Sequence, residues 1–326
     1  MKHFPRRQFL HLAAGAAALP AVSHVARAQA YPTRPVRVLV GYPPGGVNDT
    51  YARLIGRLLS ERLGQPFIIE NRVGAGGTIA ADAVVRSAPD GYTFLLTAAN
   101  DAYNPSLYPN LKYDFMRDFA PIASIAFSPQ VLEVNPLVPA KTVPEFIAYA
   151  RSNPGKINYA SAGVGTTQHL CGELFKQLTG VNMGHVPYRG GAPAVADLIA
   201  GQVQAMIDFM PSSIEHIRVG KLRALGVAST KRWAGLPDVP TVDEFLPGFG
   251  GGSLFGIAGP KSTPNEVIGR LNRETNTVLA DPGIRARIVD LGGEVFTGSP
   301  TEFAELIERD AEKWRRVIRA ANIKLE

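Results

Sequence analysis

From residue 31 onward, short runs of aliphatic and β-branched residues alternate with stretches whose apolar positions recur every three or four residues. Val36 to Val40 predicts a strand. Gly41-Tyr42-Pro43-Pro44-Gly45-Gly46 can neither extend it nor sit inside a helix, and predicts a loop. Asp49 is placed to cap the next helix, in which Leu54, Ile55, Leu58, Leu59 and Leu63 share a face and Gly64 marks the end. Phe67-Ile68-Ile69 is a second strand, Arg72 to Gly77 a second glycine loop, and Thr78 to Val85 a second helix. Pro89-Asp90-Gly91 then turns into a strand over Tyr92 to Thr97.

The same order recurs further along. Ile157 to Ala160 is a strand, Ser161 to Gly165 a glycine loop, and Thr166 to Leu178 a helix stopped by Gly180. A strand closing at Val186, the loop Tyr188-Arg189-Gly190-Gly191, a helix over Ala194 to Ile199 and a strand over Val203 to Phe209 complete the repeat. Two similar α/β lobes are the simplest explanation. Near the end, Thr263-Pro264-Asn265-Glu266 and Ser299-Pro300-Thr301-Glu302 both read as capping boxes, with a hydroxyl N-cap, Pro first and Glu third. The second opens a helix with Phe303, Leu306, Ile307, Trp314, Val317 and Ile318 on its buried stripe.

Residues 1–30 read differently. Arg6-Arg7-Gln8-Phe9-Leu10 precedes an Ala-rich apolar stretch, Leu12 to Val22, and a small-x-small site, Ala28-Gln29-Ala30. The stretch is shorter than the ~20 residues that span a bilayer. It predicts a cleaved export signal, with the mature chain starting at Tyr31. The arginine pair points to the twin-arginine route, and an ordinary secretory signal is the alternative. This segment also alters the charge. It holds Lys2, Arg6, Arg7 and Arg27 and no acid, so of 34 basic residues 30 remain against 28 acidic ones, a net +2 rather than +6. That excess is too small for a nucleic-acid surface. The single Cys excludes an internal disulfide or a cysteine-built metal cluster. At 326 residues, with 45% hydrophobic and 19% charged, two globular domains or one lobed one are expected.

Candidate chemistry sits in the glycine loops. In open α/β sheets ligands lie beyond the carboxyl ends of the strands, at helix N-termini whose free N–H groups hold anions without Lys or Arg. Pro44, Gly45 and Gly46 form one such loop; Ser161, Gly163, Gly165, Thr166 and Thr167 form the other. One loop per lobe, facing across a cleft, suits a small carboxylate. The plain reading of any single loop is a tight turn. Asp49 can accept from ligand or water, and Asn100 faces the same cleft. His169 either orients a loop, donates to an anion, or packs in the core. Asp208 either binds an amine or water or caps the helix near Ser212. His169 and Glu173 have metal-ligand spacing, but no third ligand is visible, so no metal is expected.

Enzyme and cofactor motifs fail one by one. Gly74-Ala75-Gly76-Gly77-Thr78-Ile79 has Ile79 where a dinucleotide fingerprint needs Gly, and Gly259-Pro260-Lys261-Ser262 lacks the Gly before Lys of a phosphate loop. No nucleophile elbow is present. Cys171 lies among apolar helix residues, as an inert core thiol does.

Several blocks together resemble a known family. Val40 to Asp49, Glu70 to Gly77, Ala88 to Thr93, Asn158 to Gly163 and His185 to Ala192 resemble, in order, the Bug family of substrate-binding receptors of tripartite tricarboxylate transporters. Tyr42 stands where a Phe is common. The resemblance implies a two-lobed periplasmic binding protein fold, type II-like, with the ligand cleft between the lobes. It places lobe 1 at 31–128 plus 246–326 and lobe 2 at 129–245. It implies a monomer in the periplasm, without cofactor, that passes a small carboxylate to the membrane permease subunits. An exported hydrolase or lyase on the same fold, with Asp49, His169 or Asp208 as base, and a receptor for a sensor kinase are the alternatives.

Overall fold

β-branched residues dominate the first strand, β1 (Val36–Val40), which is almost wholly buried. The computed structural model describes residues 31–323, so the expected export signal at 1–30 lies outside the described residues. The next helix, α1 (Val47–Leu63), ends at Gly64, whose φ of +71° lies in the left-handed region that glycine adopts without a Cβ clash. β2 (Phe67–Asn71), α2 (Thr78–Val85) and β3 (Thr93–Ala98) complete a parallel set in which β1 lies between β2 and β3. Two short helices, α3 (Ala99–Tyr103) and α4 (Phe115–Asp118), lead into the long strand β4 (Phe119–Val134).

The construction then repeats. α5 (Val143–Ser152), β5 (Ile157–Ser161), α6 (Thr167–Thr179), β6 (Met183–Pro187), α7 (Gly191–Ile199) and β7 (Ala205–Phe209) follow in turn. β5 runs parallel to both β6 and β7. α8 (Met210–Arg218) and β8 (Arg223–Ala228) precede a loop to β9 (Gly252–Pro260). The chain closes with α9 (Asn265–Ala280), α10 (Pro282–Asp290), β10 (Glu294–Val295) and α11 (Pro300–Ala320).

The strands join in the order β2-β1-β3-β9-β4-β7-β5-β6, with β8 and β10 also paired with β4. β4 links the two parallel sets. Phe119 to Pro129 pair with β9, and Gln130 to Val134 pair with β7 and β8. The change of neighbour falls after Pro129, which has no N–H to donate to either ladder. No described helix is long and apolar enough to cross a membrane.

Three local expectations change. The N-cap of α1 is Gly46 rather than Asp49, because the helix starts at Val47. Thr263 does not cap α9. Its hydroxyl donates to the Pro260 carbonyl at 2.7 Å, closing the turn after β9, and the helix starts at Asn265 without a side-chain cap. α7 begins at Gly191, three residues before the expected Ala194. The box at Ser299 forms: its hydroxyl accepts from the Glu302 N–H at 3.2 Å, and its own N–H donates to Glu302 Oε2 at 2.7 Å.

α11 covers β4 and α3 with a stripe of Phe303, Ile307, Trp314, Val317 and Ile318, all buried. Trp314 is wholly enclosed. Trp314→Ala should lower the unfolding free energy by about 3–5 kcal/mol. Urea denaturation followed by circular dichroism will show a lower midpoint; an unchanged midpoint would mean that the helix is not held by this contact.

Candidate functional site

Every parallel strand ends at the same side of the sheet, and each turn there feeds a helix start. The N-terminal residues of four longer helices therefore converge on one cavity. α1 supplies Val47 and Asn48 behind the Gly46 cap; α6 supplies Thr167 and Gln168 behind the Thr166 cap; α7 supplies Gly191 and α8 supplies Ser212. Tyr42, Ala98, Asn100, Ala162, Phe209 and Phe255 complete the wall. The walls surround about 400 Å³ of space free of protein atoms, part of it open to solvent. None of the lining side chains is charged. Positive potential comes instead from unpaired backbone N–H groups and helix dipoles.

A wider vestibule adjoins it, sharing Tyr42 and Ala162, and is bounded by the glycine loops 74–77 and 163–164 and by Tyr108, Tyr188 and Arg189. Arg189 is its one cation and is exposed. The loops meet across the cleft. A Cβ on Gly190 would stand 2.3 Å from Pro43 Cγ, so glycine is required there for closure, and φ at Gly190 is +130°. Tyr103 of α3 and Thr167 of α6 join their hydroxyls at 3.1 Å.

The cavity loops are held from behind. Asp49 accepts from the Gly45 N–H at 3.1 Å, from Arg53 Nε at 2.8 Å and from Asn71 Nδ2 at 3.0 Å. Burial alone would raise its pKa, but these bonds outweigh burial and hold the carboxyl below its usual range. On the other side, His169 Nδ1 accepts from the Gly165 N–H at 3.0 Å, which places the ring proton on Nε2. His185 stacks on His169 with ring centres 3.9 Å apart, and its Nε2 lies 2.6 Å from Ser161 Oγ. Ser161 Oγ in turn accepts from the Gly163 N–H at 3.1 Å. Thr166 donates to the Gly163 carbonyl at 2.7 Å.

These contacts sort the expected site residues. Gly46, Asn100, Thr166 and Thr167 line the cavity, and Gly163 lines the vestibule. Pro44 and Gly45 are exposed at the turn, with Gly45 at φ +87°. Asp49, Ser161, Gly165 and His169 hold the loops and do not line the cavity. Asp208 is fully buried behind the wall, accepting from Gln168 Nε2 at 3.2 Å. It does not cap α8, because it precedes the N-cap, Phe209, by one residue. Asn48, Gln168, Gly191 and Ser212 were not expected. All four stand in the first turn of a helix that follows a strand, and that position was the signal available.

Residues 51–323 match the family described as "Tripartite tricarboxylate transporter family receptor". The chain belongs to this family. Protein BugT of Bordetella pertussis is 37% identical over 302 residues, covering 92% of this chain and 93% of BugT. The structure of Rpa4515 of R. palustris with adipate has a TM-score of 0.88 at 37% identity, covering 90% of this chain and all (100%) of that one. MatC (Rpa3494) from Rhodopseudomonas palustris with bound malate has a TM-score of 0.83 at 35% identity, covering 88% of this chain and 100% of MatC. The architecture is that of a periplasmic binding protein.

In this receptor the loop histidines are neutral at pH 7. Burial lowers His169 to about 4 and His185 to about 3. The folded chain thus binds fewer protons than the unfolded one between the ordinary value, about 6.5, and about 4. Their contribution to stability is complete above about 6.5 and is lost as pH falls toward 4. Protonated His169 also could not accept from Gly165. Thermal midpoints should therefore fall on acidification from pH 7 to 4, and less steeply in His169→Phe. Parallel slopes in the two proteins would remove this role.

Proposed function

We propose that this receptor captures a small carboxylate in the cavity between the Gly46 and Thr166 loops and delivers it to the membrane permease of a tripartite tricarboxylate transporter. The observation that carries this reading is a cavity ringed by four helix N-termini and neutral hydroxyl and amide groups, with no charged side chain on its wall. Several neutral donors at ~0.5–1.5 kcal/mol each equal one charge-assisted contact at ~1.5–3 kcal/mol. Adipate and malate, held by the two similar structures, are small carboxylates, the class such a lining favours.

The lobes are 31–128 plus 246–326 and 129–245, a division supported by the change of strand partner after Pro129. The periplasm is the place of action, which the export signal at residues 1–30 supports. Catalysis finds no support in the side chains offered as bases. Asp49 is clamped by Arg53 and Asn71, the His169 Nδ1 lone pair is taken by Gly165, and Asp208 is behind Gln168.

Titration calorimetry with malate and adipate tests the reading. At least one should bind. Gly46→Val, which puts a branched side chain into the cavity, should abolish binding. Thr167→Val, which removes a hydroxyl at constant shape, should weaken it about tenfold, or ~1.4 kcal/mol. Arg189→Ala, at the exposed rim, should cost less than either. Loss of binding in Arg189→Ala with Gly46→Val tolerated would identify a salt-bridge clamp instead.

A further inference from the structure

Behind the cavity wall lie two carboxyl groups with no role in holding the loops. Asp208 ends β7, and Glu133 lies on the adjoining strand β4; neither has exposed surface. Their bonded partners are neutral. Gln168 Nε2 donates to Asp208 Oδ1 at 3.2 Å, and the Ser213 hydroxyl stands 2.7 Å from Glu133 Oε1 and 3.2 Å from Asp208 Oδ2.

The proton count favours a protonated pair. A serine hydroxyl carries one proton, which Ser213 can only share unequally between Glu133 at 2.7 Å and Asp208 at 3.2 Å. Each contact becomes a full hydrogen bond when a carboxyl supplies a second proton to Ser213 Oγ. Two buried carboxylates side by side without a cation also cannot both stay ionised. Glu133 is the holder. Its Oε2 is buried without a partner, whereas Asp208 has a second donor in Gln168. The chain then runs from Glu133 O–H to Ser213 Oγ, from Ser213 O–H to Asp208 Oδ2, and from Gln168 N–H to Asp208 Oδ1.

Charged and titratable groups on the surrounding elements are engaged elsewhere. Arg218 of α8 pairs with Glu215 and Asp290, and His216 of the same helix is bonded to neither carboxyl. Arg223 of β8 donates to the Val138 and Ala140 carbonyls. His169 of α6 is held by Gly165, Asp197 of α7 by Tyr188, and Tyr159 of β5 donates to Glu173. Arg53 of α1, the helix that packs on α8, pairs with Asp49.

This cluster touches the ligand space. A side chain on Gly191 would begin 3.7 Å from Asp208 Oδ1, and Gly191, Gln168 and Ser212 all line the cavity. We propose that Glu133 and Asp208 form a proton-binding site behind the cavity, which holds one proton when the cavity is empty and takes up a second from solvent when an anion enters. The uptake rests on the anion-binding reading above; the held proton does not. Burial and the Asp208 charge drive Glu133 well above the usual carboxyl range, and burial brings Asp208 up to about 6. A nearby anion moves Asp208 further up. Affinity therefore falls as pH rises above about 6, by at most tenfold per pH unit, the limit for one proton.

Two measurements test this. Infrared difference spectra of the ligand-free protein at pH 7, wild type minus Glu133→Gln, should show the carbonyl band of a protonated carboxylic acid. Ser213→Ala should shift that band. Absence of the band overturns the site, whatever the ligand. Calorimetry with malate and adipate in phosphate and in Tris at pH 7 counts protons. Wild type should take up a fraction of a proton per ligand, and Asp208→Asn should take up clearly less. Asp101, buried behind Asn100 and raised to about 7, is the second group that can respond, and Asp101→Asn should leave the Asp208-dependent part of the uptake in place. Zero uptake with bound ligand, or uptake lost in Asp101→Asn and kept in Asp208→Asn, overturns the linkage. Failure of both probes to bind at any pH would count against the carboxylate reading and leave the infrared band to decide the site.

Discussion

The backbone hydrogen bonds of β4 hold both halves of this protein in one sheet. Over 16 residues it satisfies β9 with its first part and β7 and β8 with its second. A buried strand has to pair its N–H and C=O groups, so the two parallel sets cannot separate without breaking this ladder. The strand and β9 pass between the halves, and α11 seals them from one face with Trp314 and its neighbours. Everything on the ligand side follows from where this crossing places the strand ends.

Because each half is built of parallel strands followed by helices, all helix starts point to the same side. The crossing turns the two sets of starts toward each other. The result is a cavity with a positive lining made of backbone, in which side chains supply shape and neutral hydrogen bonds. Such a lining favours an anion without a fixed cation, and it keeps its sign at any pH. The groups that do titrate lie one layer back. Asp49, His169 and His185 act on loop geometry, and Asp101, Asp208 and Glu133 sit behind the lining amides and small residues.

That second layer explains how flexible glycine loops become a defined site. Glycine at 45, 163, 165 and 190 adopts positive φ, which lets the backbone approach closely but leaves it free to move. Two of these loops, at Gly45 and at Gly163 to Gly165, are tied down by buried side chains. Asp49 holds the Gly45 N–H, Ser161 the Gly163 N–H, and His169 the Gly165 N–H. Removing a tie costs little area but frees the loop that the bond holds.

The chain itself declares its elements. Strand and helix periods, the glycine stops at Gly64 and Gly180 and the Ser299 box are local, because each depends on residues a few positions apart. The repeated order of strand, glycine loop and helix is local in the same way, and the structure shows it in both halves of the sheet. What could not be read was any property set by residues far apart in sequence. Thr263 has the pattern of a cap, yet its hydroxyl went to the Pro260 carbonyl. Asp49 and His169 look like ligand groups, and only packing shows that they face loop N–H groups. Gln168 and Ser212 gave no composition signal; they reach the cavity because β5 pairs with β7, which brings the starts of the helices that follow these strands to one cavity. The partner of Glu133 is the clearest case. Its neighbour Asp208 is in another strand, and only the antiparallel pairing of β4 with β7 put two carboxyls behind one serine.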